Sequence, residues 1–272
     1  MPGVILAFLE QPEAVERLLA AAERLSERMG GARIDALAVR VPPELTIVPG
    51  EEVIPPHAAA RLRLGEIERV EAVRAAVDAW AGRLHRGGDR LRWCEAEGLV
   101  SQILRDQGLR ADVIVLPRPQ TPEVPGGQSP VHAALFATDR PVLVVPPGPV
   151  TDFGRCVAIA WRDERPATRA VLSALRTGTV PEKTFVLAGI RPGETAPQAP
   201  AILSEHGISA ELRVLGVGPG VFGETLLAQA HHLGADLIVM GAYRHSLLRE
   251  FLLGGLTRFM LAHSDLPVLM RH

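Results

Sequence analysis

A glycine-bounded loop near the C-terminus has the composition of an anion-binding site. Gly241 ends an apolar stretch, and Gly254, Gly255 and Thr257 follow after a twelve-residue segment that contains two arginines. Glycine lets a phosphate approach the backbone closely, and the amides at the start of a helix point toward such an anion. The spacing therefore predicts a phosphate-binding loop between a strand and a helix.

Basic side chains inside this loop could add contacts to the same anion. Arg244 and His245 lie there, and a guanidinium group is well shaped to bind phosphate. The alternative is that the loop binds nothing and that these residues form a solvated, salt-bridged surface. Both interpretations remain open on the sequence alone.

A second candidate region follows another apolar stretch, at Trp161-Arg162-Asp163. The ring of Trp161 could stack on a nucleobase, although an aromatic residue at the end of a strand more often packs in the core. Arg162 and Asp163 could lie beside the sugar or the phosphates.

The elements that must position these residues come from an internal duplication. Ala111–Leu116 recurs as Ala235–Met240, at an offset of 235 − 111 = 124 residues. A Pro-Val-Leu segment that begins at Pro141 recurs at Pro267, at an offset of 267 − 141 = 126 residues. Two matches at nearly one offset indicate two tandem copies. We predict domains at residues 1–147 and 152–272.

Continuous apolar strands alternate with helical patterns in both copies, which is typical of parallel sheets covered on both faces. Each copy is therefore predicted to be a five-stranded, doubly wound α/β domain. The predicted elements include a long helix over Gly65–Leu84, a short strand over Leu91–Cys94 and a helix over Pro197–His206. Ligands in such sheets bind at the carboxyl ends of strands, where Trp161 and Gly241 are expected.

Composition excludes several classes of function. The chain has 272 residues, 47% of them hydrophobic, and a net charge of −2, which argues against a general nucleic-acid binder. We find no apolar run long enough to cross a bilayer and no secretory signal. Cys94 and Cys156 show no pairing pattern, so we expect reduced thiols and a cytoplasmic location. No spacing indicates a metal site or a catalytic constellation.

The second copy resembles the universal stress protein family. The resemblance depends on the strand order, on Ala235–Met240 followed by Gly241, and on the Pro-Val-Leu ending. ATP-binding members carry Gly-x2-Gly-x9-Gly-Ser/Thr after the fourth strand. The first glycine corresponds to Gly241 and the third to Gly254, whereas Arg244 replaces the second glycine and Gly255 replaces the hydroxyl residue. Thr257 keeps a further hydroxyl that is frequent in the family.

The resemblance implies a fold, a ligand and a mode of pairing. The fold is the one shared by universal stress proteins and adenine-nucleotide alpha-hydrolases. The ligand would be ATP or another adenine nucleotide, although Arg162 stands where the family places an acid. The two copies would pair through their fifth strands, and a homodimer is a further option. The first copy, with Pro117-Arg118-Pro119 in place of the loop, looks structural.

The sequence thus predicts a stress-linked regulatory or binding protein rather than an enzyme. The main alternative is a structural or protein-interaction module without a ligand. A slow nucleotide hydrolase is a third reading, but no base is positioned near Gly241–Thr257.

Overall fold

The computed structural model describes residues 3–45, 55–83, 88–120, 129–149, 152–178, 180–218, 221–242 and 255–272. Within these residues the chain forms ten strands: β1 (Val4–Phe8), β2 (Arg33–Arg40), β3 (Leu91–Glu97), β4 (Val113–Pro117), β5 (Val142–Val145), β6 (Cys156–Trp161), β7 (Lys183–Ile190), β8 (Glu211–Gly216), β9 (Leu237–Gly241) and β10 (Val268–Arg271).

Eight helices connect these strands: α1 (Pro12–Arg28), α2 (Pro56–Arg83), α3 (Val100–Gly108), α4 (Pro130–Ala137), α5 (Arg165–Arg176), α6 (Ala201–Glu205), α7 (Phe222–His232) and α8 (Leu256–His263). Four of the helices have a proline at the first or second position: α1, α2, α4 and α5. Proline is favoured there because it has no amide hydrogen, and an amide hydrogen in the first turn has no partner within the helix. None of the helices that the structure describes is long and apolar enough to cross a membrane.

All ten strands form one sheet in the order β3-β2-β1-β4-β5-β10-β9-β6-β7-β8. We call β1–β5 with α1–α4 the first half and β6–β10 with α5–α8 the second half. Neighbouring strands are parallel within each half. The α/β class predicted from the sequence is confirmed, and the two five-stranded sheets are continuous with each other.

The two halves meet at one antiparallel strand pair, β5 with β10, which we call the seam. Val268 is opposite Val144, Leu269 is opposite Leu143 and Met270 is opposite Val142. All six side chains are buried. Because the strands are antiparallel, the carboxyl edge of each half lies beside the amino edge of the other.

The core consists of two layers, one on each face of the sheet. One layer holds buried residues of α1, α2, α5 and α6, and the other holds buried residues of α3, α4, α7 and α8. This two-sided cover explains why the strands carry continuous apolar runs rather than alternating patterns.

An aspartate just before β4 and one just before β9 join neighbouring strands at the amino edge. The carboxylate of Asp112 accepts a hydrogen bond from the amide of Val4 at 2.8 Å. The carboxylate of Asp236 accepts hydrogen bonds from the amides of Gly154, Arg155 and Cys156 at 2.6–3.2 Å. These repeated acids are therefore structural.

Several predicted element boundaries were wrong. The long helix begins at Pro56 rather than Gly65, β3 extends to Glu97 rather than Cys94, and α6 covers only Ala201–Glu205. The early turns of α2 are exposed, so they have no apolar face from which the sequence pattern could locate them.

Candidate functional site

The candidate site lies at the carboxyl edge of the second half, where β6 and β9 end side by side. Ala160 is opposite Met240 in the parallel pairing of these strands, so Trp161 and Gly241 follow at the same edge. Helices α5 and α8 both begin at this edge, because each follows a strand that ends there. The sequence-predicted regions around Trp161 and Gly241 are thus brought together.

Gly241 is held against the first turn of α5. A Cβ atom at this position would lie 2.7 Å from the backbone nitrogen of Ala167 and 2.7 Å from the carbonyl carbon of Pro166. Real Cβ atoms essentially never come so close to backbone. A glycine is therefore required here by helix packing, whether or not a phosphate approaches the loop.

Trp161 packs in the core rather than lining an open cleft. Its side chain belongs to the α1, α2, α5 and α6 layer, and the residue is only 7% exposed. The indole Nε1 donates a hydrogen bond to the carbonyl of Gln198 at 2.9 Å. Gln198 belongs to residues 191–200, an irregular segment after β7, so this segment contacts the polar edge of the ring. No broad ring face is open to a nucleobase in this conformation.

Replacing Trp161 with phenylalanine is expected to lower the free energy of unfolding by about 1 kcal/mol beyond the effect of the smaller ring, because one hydrogen bond is lost. Urea denaturation measures the change. Trp93, which lies half-buried on edge strand β3, provides the matched control Trp93→Phe. Equal losses in the two variants would contradict a specific role for the indole hydrogen bond.

Arg162 and Asp163 are exposed in the turn between β6 and α5. The Nε of Arg162 lies 3.5 Å from a carboxylate oxygen of Glu164, the residue before α5, and the Arg162 side chain is 50% exposed. Where the family resemblance expects an acid, this edge therefore presents an arginine with acids on its C-terminal side. The side chain of Glu164 does not cap α5.

The start of α8 supplies the remaining described candidates. Gly255 is the N-cap residue, with φ −72° and ψ 135°, and as a glycine it has no side chain that could cap the helix. Thr257 lies in the first turn and is 5% exposed, so its hydroxyl is not on the open surface. Arg244, His245 and Gly254 lie outside the described residues.

The metal-binding capacity and the thiols of the described residues can be assessed directly. They include no group of three His, Cys, Asp or Glu side chains that could hold a metal ion. Burial raises the pKa of both thiols, Cys94 and Cys156. A raised pKa disfavours the thiolate, which is the reactive form.

The equivalent edge of the first half is used for contact with the second half. The Nη1 of Arg118, which follows β4, donates hydrogen bonds to the carbonyls of Ala262 and Ser264 at 3.0 and 3.2 Å. These carbonyls belong to the end of α8 and the turn after it. Leu9, at the end of β1, is fully buried.

Sequence reasoning missed a group of charged residues at the other end of the seam. Asp139, between α4 and β5, forms ion pairs with Arg169 of α5 and with Arg271 at the end of β10. The available signal was the pair Asp139-Arg140 before Pro141, whose repeat in the second copy, Asp265-Leu266, lacks the arginine.

Comparison with known proteins identifies the class of the second half. Residues 171–272 match the model of the Universal stress protein family. No curated protein matches the chain at a significant level. Residues 171–272 are therefore similar to a universal stress protein domain, which confirms the resemblance seen in the sequence.

Two solved structures are similar to the chain over almost its whole length. A universal stress protein from Archaeoglobus fulgidus is 17% identical, with a TM-score of 0.68, and the alignment covers 99% of this chain and 96% of that one. A protein of unknown function from Pseudomonas aeruginosa is 15% identical, with a TM-score of 0.57 and coverage of 99% and 92%. At these identities the likeness concerns the fold alone. Because it covers almost the whole chain, both halves have the fold of these two structures.

Proposed function

We propose that the protein is a cytoplasmic, non-catalytic binding protein of the stress response, and that the second half binds an adenine nucleotide weakly at its carboxyl edge. The observation that carries the proposal is the start of α8 at Gly255, at the same edge as the half-exposed Arg162. The amides at the start of a helix and a guanidinium group both favour a phosphate.

Three substitutions relative to the family pattern explain why we expect weak binding. Arg244 stands in place of a glycine, Gly255 in place of a hydroxyl residue and Arg162 in place of an acid. Each one removes a close approach or a polar contact that the family pattern supplies. The basic side chains attract an anion over a longer range, and salt screens that attraction.

A second candidate function is that of a protein-interaction module without a nucleotide. It is favoured by the burial of Trp161 and Thr257 and by the contact of Gly241 with α5. In this reading the carboxyl edge is closed by packing, and the family's ligand site has become structural.

Calorimetry with ATP and Mg²⁺ separates the two candidates. The natural protein is expected to bind ATP weakly, and more weakly still at high salt. The double variant Arg244→Gly, Gly255→Ser is expected to bind ATP about 5- to 150-fold more tightly, equivalent to about 1–3 kcal/mol of regained hydrogen bonding.

The single variant Gly255→Ser is the matched control. Serine is a good N-cap residue, so it should raise the melting temperature through α8 even when no nucleotide is present. Binding must therefore be measured directly and not through thermal stability. A double variant that binds ATP no better than the natural protein would rule out the nucleotide proposal and leave the interaction module.

A further inference from the structure

Four arginines lie within range of electrostatic interaction at the end of the seam where the second half's carboxyl edge lies beside the first half's amino edge. We call this group the junction cluster; its members are Arg140 before β5, Arg169 and Arg176 of α5, and Arg271 at the end of β10. Both halves thus contribute to it. The β5–β10 register, continued by one residue from Met270 opposite Val142, places Arg271 beside Pro141.

Arg271 is the fixed centre of the junction cluster. Its side chain is 17% exposed. Its Nη1 donates a hydrogen bond to the hydroxyl of Ser173 at 3.0 Å, and its Nη2 donates one to the carbonyl of Asp139 at 3.1 Å. Its Nε is buried and has no hydrogen-bond partner among the described residues. The guanidinium group is therefore held in place by α5 and by the turn before β5.

Asp139 supplies the local negative charge. Its φ is 54°, the left-handed region, and it is the only non-glycine residue in the described ranges with a positive φ. Asp and Asn enter that region more readily than most other residues. Its carboxylate pairs with Arg169 and lies 3.8 Å from Arg271, and its side chain is 64% exposed. One exposed carboxylate thus faces several guanidinium groups.

The charges around Arg271 do not balance. Burial lowers the pKa of Arg271, and the positive charges of Arg169, Arg176 and Arg140 lower it further, whereas Asp139 raises it. Asp139 is the one carboxylate among these groups. Like charges held together at a half-buried position repel each other, and an anion drawn from solution would relieve the repulsion.

Several N–H groups of the junction cluster remain available to such an anion. The Nη2 of Arg140 donates a hydrogen bond to the carbonyl of Leu109 at 2.7 Å. Arg169 pairs through one nitrogen with Asp139, and Arg176 is exposed in the last turn of α5. Each guanidinium has five N–H donors in a planar fork that matches phosphate oxygens. Within the described residues, most of these donors have no hydrogen-bond partner.

We propose that the junction cluster is a binding site for a small, multiply charged phosphate compound, recognised through its phosphate oxygens. The site does not depend on the nucleotide proposal. The junction cluster borders the candidate nucleotide site, because Arg271 is opposite Gly241 in the β9–β10 pairing. Its arginines, however, lie on α5, on β10 and in the turn before β5, and none lies on the loop that follows Gly241. Because both halves supply arginines, the bound anion also stabilises their association.

Calorimetry with inorganic pyrophosphate at low salt tests the proposal on the full chain. The natural protein is expected to bind pyrophosphate with a Kd below about 1 mM. The double variant Arg169→Gln, Arg176→Gln is expected to bind at least tenfold more weakly. Arg213→Gln, at a half-exposed arginine of β8 paired with Glu211, is the matched control and should leave binding unchanged. Circular dichroism establishes that each variant is folded.

The variant Asp139→Asn provides an effect of opposite sign. Asparagine also adopts a positive φ, and the backbone carbonyl that accepts from Arg271 stays in place. Loss of the competing negative charge should tighten pyrophosphate binding about fivefold, the effect of one charge at about 4 Å in water. A purely structural cluster would show no such gain.

Three results would overturn the proposal: no binding by the natural protein below about 1 mM, unchanged binding by the double arginine variant, or no gain from Asp139→Asn.

A parallel titration with ATP tells the two phosphate sources apart. If the double arginine variant loses affinity for ATP as well as for pyrophosphate, the junction cluster accepts nucleotide phosphates. If it loses affinity for pyrophosphate alone, it accepts the inorganic anion. Both of these outcomes support the site.

Discussion

Replacing Asp236 with alanine is expected to lower the free energy of unfolding by about 3 kcal/mol or more. The carboxylate accepts hydrogen bonds from three consecutive amides, those of Gly154, Arg155 and Cys156. Bonds to a charged group contribute about 1.5–3 kcal/mol each, although the partly exposed amides can recover some of this from water. The same residues form the entry of the chain into β6.

Asp112 provides an internal control for this prediction. It occupies the equivalent position before β4, but its carboxylate accepts from one amide only, that of Val4. Asp112→Ala should therefore cost about half as much or less, roughly 1.5 kcal/mol. Urea denaturation of both variants gives the comparison. If the two alanine variants lost the same stability, the extra amides at Asp236 would contribute nothing.

The variant Gly241→Ala should lose about 1–3 kcal/mol of stability with no ligand present, because overpacking forces the backbone to move. The added methyl group would lie 2.7 Å from backbone atoms of Pro166 and Ala167. These atoms cannot rotate away as the end of a flexible side chain can. Either α5 or the end of β9 must therefore shift.

Gly216→Ala is the matched control, since Gly216 ends β8 at the same edge of the sheet and a Cβ there meets nothing within 4 Å. We expect it to be close to neutral. Thermal or urea unfolding without nucleotide measures both variants. If Gly241→Ala left stability unchanged and affected only ATP binding, the glycine would serve the ligand rather than the helix.

Much of the fold could be predicted from the sequence because each buried strand has a plain signal. Runs such as Val113–Leu116 are apolar throughout, and the repeat of Ala111–Leu116 at Ala235–Met240 gave the duplication. The start of α2 at Pro56 could not be predicted, because its exposed early turns carry no apolar period.

The candidate site was predicted less completely than the fold. Strand order alone places Trp161 and Gly241 at one edge. The hydrogen bond of the Trp161 indole, however, is made with Gln198, in an irregular segment whose course has no periodic signal. The junction cluster depends on the antiparallel seam, which brings Asp139 to Arg271 across 132 residues of chain. No local pattern contains such a contact.

The seam also bears on how the two halves could diverge. In a symmetric pair of identical subunits, every substitution occurs twice and must suit both copies of the interface. Here the amides of Arg118 and Ala242 make the same contact with the strand beside them, to Val145 and Arg271 respectively, yet only Arg118 reaches across to the other half. Joining the copies in one chain lets each side of the interface change alone. The carboxyl edge of the first half is therefore free to become a contact surface for the other half, while the carboxyl edge of the second half keeps its glycines.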